Sequence, residues 1–167
     1  VRWAGTAYRG HDPRWAFAPT SGDGASVHGG RFNPKGVPAI YLALSIEGVV
    51  AEQSAGMAYR FEPFTVVSFD VDMSGLIDLS TPEARAQPNV DLALMASTWM
   101  LDRTEGRRPA SWALAQRLME EGAAGMLYPS FAVRARPDMI NLVAWRWGPD
   151  LPHRIVAHDP NGRLVRP

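Results

Sequence analysis

Apolar and polar positions alternate from Phe64 to Val71 in a β-rich run, the signature of a strand. A shorter apolar run, Val37 to Ala43, contains Ile40 and Tyr41 and predicts another strand. Ser45 then offers an N-cap for a helix from Ile46 to Tyr59, which puts Glu52 mid-helix. Gly48, Ala51, Ala55 and Ala58 give that helix a small-residue face that can approach a sheet closely. Two further helices are expected over Asn89 to Leu101 and Pro109 to Glu121. The second has Pro109 near its first turn, a stripe of Trp112, Ala115 and Met119, and Gly122 at its end. Met126 to Tyr128, Ile140 to Trp147 and Arg154 to His158 are strand candidates. Asp159-Pro160-Asn161-Gly162 signals a turn, from which a closing hairpin would return through Leu164 and Val165. From Gly10 to Gly36 there is little periodicity and much Gly, Pro, Ser, Asp and His, which predicts a long functional loop. Without regular βαβ alternation the expected class is α+β: a single compact domain over residues 1–167, a mixed sheet with flanking helices.

Composition narrows the function. A chain of 167 residues, 46% of them hydrophobic, can bury one sizeable core. Lys plus Arg and Asp plus Glu are 17 each, so no global field draws the chain to nucleic acid or to an anionic membrane. With no cysteine there is no disulfide scaffold, thiolate zinc site or cysteine nucleophile, and the expected compartment is the cytoplasm. No apolar stretch reaches the ~20 residues of a membrane helix, and no signal peptide is recognisable. The chain begins at Val1 rather than Met, as expected if a few native residues are missing or removed. The four histidines have no metal-ligand spacing, so no metal is expected. Of the six tryptophans, Trp3, Trp15 and Trp99 are candidates for a partner surface.

The chemistry concentrates in His28-Gly29-Gly30-Arg31-Phe32-Asn33-Pro34-Lys35-Gly36. Two glycines allow backbone N–H groups to turn toward an anion, and Arg31 adds a fork of donors suited to a diphosphate. Tyr41 offers an aromatic for a ring, and Glu52 a carboxylate for developing positive charge. The alternatives are a surface arginine paired with an aspartate, a solvated helical glutamate, and a core tyrosine with a satisfied hydroxyl. Ser130 follows Tyr128-Pro129 and lacks the G-x-S-x-G elbow, so a hydrogen-bonding role is expected of it rather than a nucleophilic one. Neither a Rossmann fingerprint nor a P-loop is present.

Tyr8-Arg9, Gly29 to Gly36, Tyr41-Leu42-Ala43, Ala51-Glu52, Tyr128-Pro129-Ser130 and Asn141 together resemble the RES domain family. The resemblance implies a fold similar to the diphtheria-type ADP-ribosyltransferases and the toxin half of a bacterial toxin–antitoxin pair. It also implies NAD as cosubstrate and an Xre-like antitoxin as partner. It carries roles residue by residue only to Arg31, Tyr41 and Glu52; in the mechanism expected with it, Arg31, with Arg9 as helper, would hold the diphosphate or adjoining ribose at the Gly30 loop. Tyr8 and Tyr41 would pack against the nicotinamide and its ribose, Glu52 would meet the ribose and the cationic transition state, and Ser130 would add a hydrogen bond. The acceptor of ADP-ribose stays open between water, phosphate and a protein such as phosphoribosyl pyrophosphate synthetase. The competing expectation is a non-catalytic module that binds a nucleotide or a partner.

Overall fold

The alternating segment becomes a nine-residue strand whose Val67, Phe69, Val71 and Met73 are buried while Val66 and Asp70 face out. The computed structural model describes residues 1–54, 61–86 and 90–166. In chain order the strands are β1 Trp3–His11, β2 Ile40–Ala43, β3 Thr65–Met73, β4 Leu76–Asp78, β5 Gly125–Pro129, β6 Ile140–Ala144 and β7 His153–Ala157. The helices are α1 Asp23–His28, α2 Ile46–Gln53, α3 Pro82–Ala86, α4 Leu92–Met95, α5 Trp99–Thr104 and α6 Ala110–Glu120, with a 3-10 turn at Pro13–Trp15. The seven strands of the described residues join one sheet in the order β4-β5-β6-β2-β1-β3-β7. Among the described strands only β4 and β5 pair in parallel. This is the mixed sheet with helices of an α+β domain.

The pleat divides the interior in two. One core holds Ile40, Leu42, Leu127, Leu142, Phe69 and Ile155. The other holds Met126, Tyr128, Val143 and Trp145 of the sheet side against Leu114, Ala115 and Leu118 of α6, with Phe32 from the glycine loop. Fully burying one such side chain stabilises by roughly 1.5–3 kcal/mol, so this face fixes α6 to the sheet. It runs through Ser111, Leu114, Ala115 and Leu118, and of the expected stripe only Ala115 is buried, Trp112 and Met119 standing half-buried at its edges. Register also builds a polar row. Tyr8 stands opposite Ala43, Ala43 opposite Asn141, and Asn141 opposite Tyr128, which puts these side chains on one face.

Several expectations change. The first strand, β1, was not foreseen, nor were β4 and α3. The Gly10 to Gly36 stretch is not wholly irregular, because it carries the 3-10 turn and α1. Ser45 does cap α2, accepting from the Gly48 N–H at 3.0 Å, and Gly48 and Ala51 are buried. Ala55, Ala58 and the end of that expected helix at Tyr59 lie outside the described residues. The helix expected from Asn89 to Leu101 starts at a residue outside the described ones, and over its described part there are two short helices with Ala96, Ser97 and Thr98 between them. No strand forms through Leu164 and Val165: the Asp159 carboxylate accepts from the Arg163 and Leu164 N–H groups at 2.7 and 2.9 Å, curling the chain instead of pairing it with β7. Trp3 packs against the core, whereas Trp15 is exposed.

Candidate active site

Tyr41 and Asn33 hold the glycine loop from inside. Asn33 is buried, and its Nδ2 donates to the carbonyls of Ala25 and Val37, each at 2.8 Å. Its Oδ1 accepts from the Tyr41 hydroxyl at 2.7 Å, and that hydroxyl accepts in turn from the Phe32 N–H at 2.9 Å. The carbonyls of Gly30, Arg31 and Phe32 receive Trp112 Nε1, Ser111 Oγ and Trp145 Nε1 at 2.7, 2.6 and 2.8 Å. The expected anion nest is therefore corrected in one respect. The N–H groups of Gly29, Gly30 and Phe32 are spent on Ala25 O, Asn33 O and Tyr41, so the loop offers the arginine side chain rather than a ring of amides. Tyr41 has its hydroxyl satisfied and its ring bordering the cavity, and burial pushes its phenol above the usual value.

Arg31 lines a cavity of about 560 Å³ with Tyr8, Gly30, Tyr41, Glu52, Trp99, Met100, Tyr128, Phe131 and Asn141. Its Nη1 donates to the carbonyls of Met95 and Ser97 at 3.1 and 2.9 Å, and its guanidinium carbon lies 4.8 Å from the centre of the Phe131 ring. These partners are neutral. Burial lowers the pKa of Arg31, although Glu52 and the two tyrosines pull it the other way. Across the cavity Glu52 rides on α2. Its Oε1 accepts from Ser130 Oγ at 2.6 Å and from Asn141 Nδ2 at 2.7 Å. A carboxylate held by two donors through one oxygen has its orientation fixed. Beside it Tyr128 is buried, and burial, then the neighbouring Tyr41 and Glu52, raise its pKa well above the ordinary phenol.

The structure thus brings Tyr8, Gly30, Arg31, Tyr41 and Glu52 to one cavity, with Ser130 attached through Glu52. Arg9 is placed differently. It borders the cavity, but it follows Tyr8 in β1, so the pleat turns its side chain to the other face. There its Nη1 donates to the carbonyls of Pro19 and Ser21 at 3.1 and 2.9 Å, and burial lowers its pKa. Trp99, Met100 and Phe131 also line the cavity, and no local sequence pattern marks them as site residues. Tyr128 and Asn141 carried the resemblance without a role, and only the strand register brings them together beneath Glu52. A second, more open groove of about 680 Å³ runs along the outer side of α2, but it contains Glu47 in place of Glu52 and lacks Arg31. Among the described residues no group of three or more His, Asp or Glu is placed to hold a metal, and no helix is long and apolar enough to cross a membrane.

Comparison with known proteins gives this geometry a family. No curated protein matches the chain. Among solved structures, the chain is similar to one from the crystal structure of the M. tuberculosis MbcT–MbcA toxin–antitoxin complex. The TM-score is 0.62 at 24% identity, over 95% of this chain and 84% of that one, so the two share a fold. The model of the RES domain matches residues 6–166, and the chain therefore belongs to the RES domain family.

Proposed function

We propose that this chain is the toxin of a toxin–antitoxin pair and cleaves the bond between nicotinamide and ribose in NAD. The observation that carries the reading is Glu52, fixed by Ser130 and Asn141 at a cavity whose other side presents Arg31. Breaking that bond expels neutral nicotinamide and leaves an oxocarbenium-like ribose, so the main catalytic need is a preorganised negative charge. Glu52 supplies it. Its Oε1 is held by protein donors, which leaves Oε2 to meet a ribose hydroxyl and the cation. Arg31 matches the diphosphate, and Tyr8, Tyr41 and Tyr128 border the space for the nicotinamide riboside. The acceptor then adds to the anomeric carbon and loses its proton. Water, inorganic phosphate and a protein side chain, such as one on phosphoribosyl pyrophosphate synthetase, are the candidates. The fold shared with a protein from a toxin–antitoxin complex supports an antitoxin as partner, and the family resemblance favours an Xre-like one acting in the cytoplasm.

The test is to incubate the purified chain with labelled NAD, with and without phosphate and cell lysate. Release of nicotinamide is expected, and the position of the label identifies the acceptor. Binding of NAD with no nicotinamide released under any condition would favour a non-catalytic binding module.

A further inference from the structure

We infer that α5 is a side wall of the cavity set by arginine-to-carbonyl links rather than by core packing, and that Arg103 is the positioning residue that sets it. The inference deepens the reading of this cavity as a nucleotide site and rests on it. Core packing ends at Met95 in α4, which is fully buried, and the chain returns to a buried position at Pro109. Between these anchors α5 has six residues and buries none of them. A helix this short does not hold itself in water, so something else must fix it.

Two links do so. At the near end, Arg31 Nη1 grips the carbonyls of Met95 and Ser97. At the far end, Arg103 Nη1 donates to the carbonyl of His28, the last residue of α1, and its guanidinium lies 5.5 Å from the centre of the Trp99 ring. The ion pairs of Arg107 with Asp102 and Glu105 join near neighbours in sequence, so they tighten the turn without tying it to the body. Trp99 and Met100 meanwhile line the cavity, and Met100 and Leu101 are 60% and 50% exposed on the outside. Arg31 is shared between this wall and any anion in the cavity. Arg103 does not line the cavity and acts only through Trp99 and His28. Loosening it should therefore weaken the hold on the ligand and leave the bond-breaking step at Glu52 alone.

The test is Arg103→Met, which keeps an apolar stem and removes the donors, compared with the parent and with Arg103→Lys, which can still donate to His28. In steady-state nicotinamide release, Arg103→Met is expected to raise KM for NAD by about tenfold with kcat within about twofold, and Arg103→Lys to recover part of the loss. Hydrogen exchange is expected to speed up over residues 98–105 and stay unchanged in α6 and β5. An unchanged KM together with unchanged exchange would overturn the proposal, as would a fall in kcat at constant KM. If the parent protein releases no nicotinamide, the reading of the site fails, and the exchange comparison alone then decides whether Arg103 sets the wall.

Discussion

Glu52 depends on its neighbours as much as on its own charge. Ser130 and Asn141 reach it from the end of β5 and from β6, so the helix that carries the carboxylate and the strands that aim it are far apart in sequence. Glu52→Gln keeps the side-chain shape and removes the charge that the proposed ribose cation would need. It is expected to cut kcat for nicotinamide release by at least about 100-fold while NAD binding, followed by calorimetry, changes little. A variant as fast as the parent would return Glu52 to the class of solvated helical glutamates. His11 allows a second prediction at this scale. It is buried on β1 with its Nε2 unpartnered, and burial, helped by nearby Arg9, lowers its pKa from the ordinary 6.5 to about 4. Between those values the unfolded chain takes up a proton that the folded chain refuses, so stability falls as pH falls from 6.5 toward 4 and this contribution levels off below. Urea midpoints measured across that range should drop more steeply for the parent than for His11→Leu, and identical slopes would show that His11 does not titrate in this way.

The glycine loop behaves as one element with its clamps. A Cβ on Gly30 would lie 2.5 Å from Asn33 Oδ1 and 2.6 Å from the Tyr41 hydroxyl, between the two ends of the bond that shapes the loop. Gly30→Ala should therefore destabilise the fold by about 1–3 kcal/mol in denaturant titrations and misplace Arg31. Gly24→Ala is the contrast. Nothing lies within 4 Å of its Cβ position in α1, so it should be neutral or slightly stabilising. The elements legible in the sequence are those whose cause is local. The alternation of β3, the Ser45 cap and the helical period of α6 all act within a few residues, although which face of α6 is buried differs from the expected stripe. The missed or altered elements have distant causes. β1 is rich in small residues and buries only Ala7 and His11, so it is a strand because β2 and β3 pair with it. The helix expected across Ser97 is interrupted where Arg31 takes the Met95 and Ser97 carbonyls, acceptors that a continuous helix would have spent on Trp99 and Leu101. The same holds for the site. The Arg31 motif and the aromatic and carboxylate after it were readable in order, whereas the Glu52, Ser130 and Asn141 cluster is a product of register, and the side of β1 that Arg9 takes is a product of pleat.

At the scale of the whole molecule, the proposed NAD cleavage, in a chain of balanced charge with an open cavity, would need control from outside. The chain carries no basic field of its own, so recognition of DNA in such a pair would fall to the antitoxin. The lips of the cavity are suited to being covered. Met100 and Val133 line it and are exposed, and Leu101 stands exposed beside Met100, an arrangement that leaves apolar side chains at the mouth of a charged site. An inhibitor that lies across these lips would exclude NAD without altering the fold. Expression of the chain alone in bacteria is expected to halt growth and lower cellular NAD or label a protein with ADP-ribose, and co-expression of the adjacent reading frame should restore growth through a stable hetero-complex. Glu52→Gln separates the two activities: it should be harmless on its own yet still co-purify with the inhibitor. Replacing Met100 and Val133 together by aspartate should weaken that complex. If the folded parent chain, expressed without an inhibitor, left both growth and NAD untouched and modified no protein, the toxin reading would fall and the cavity would be a binding site only.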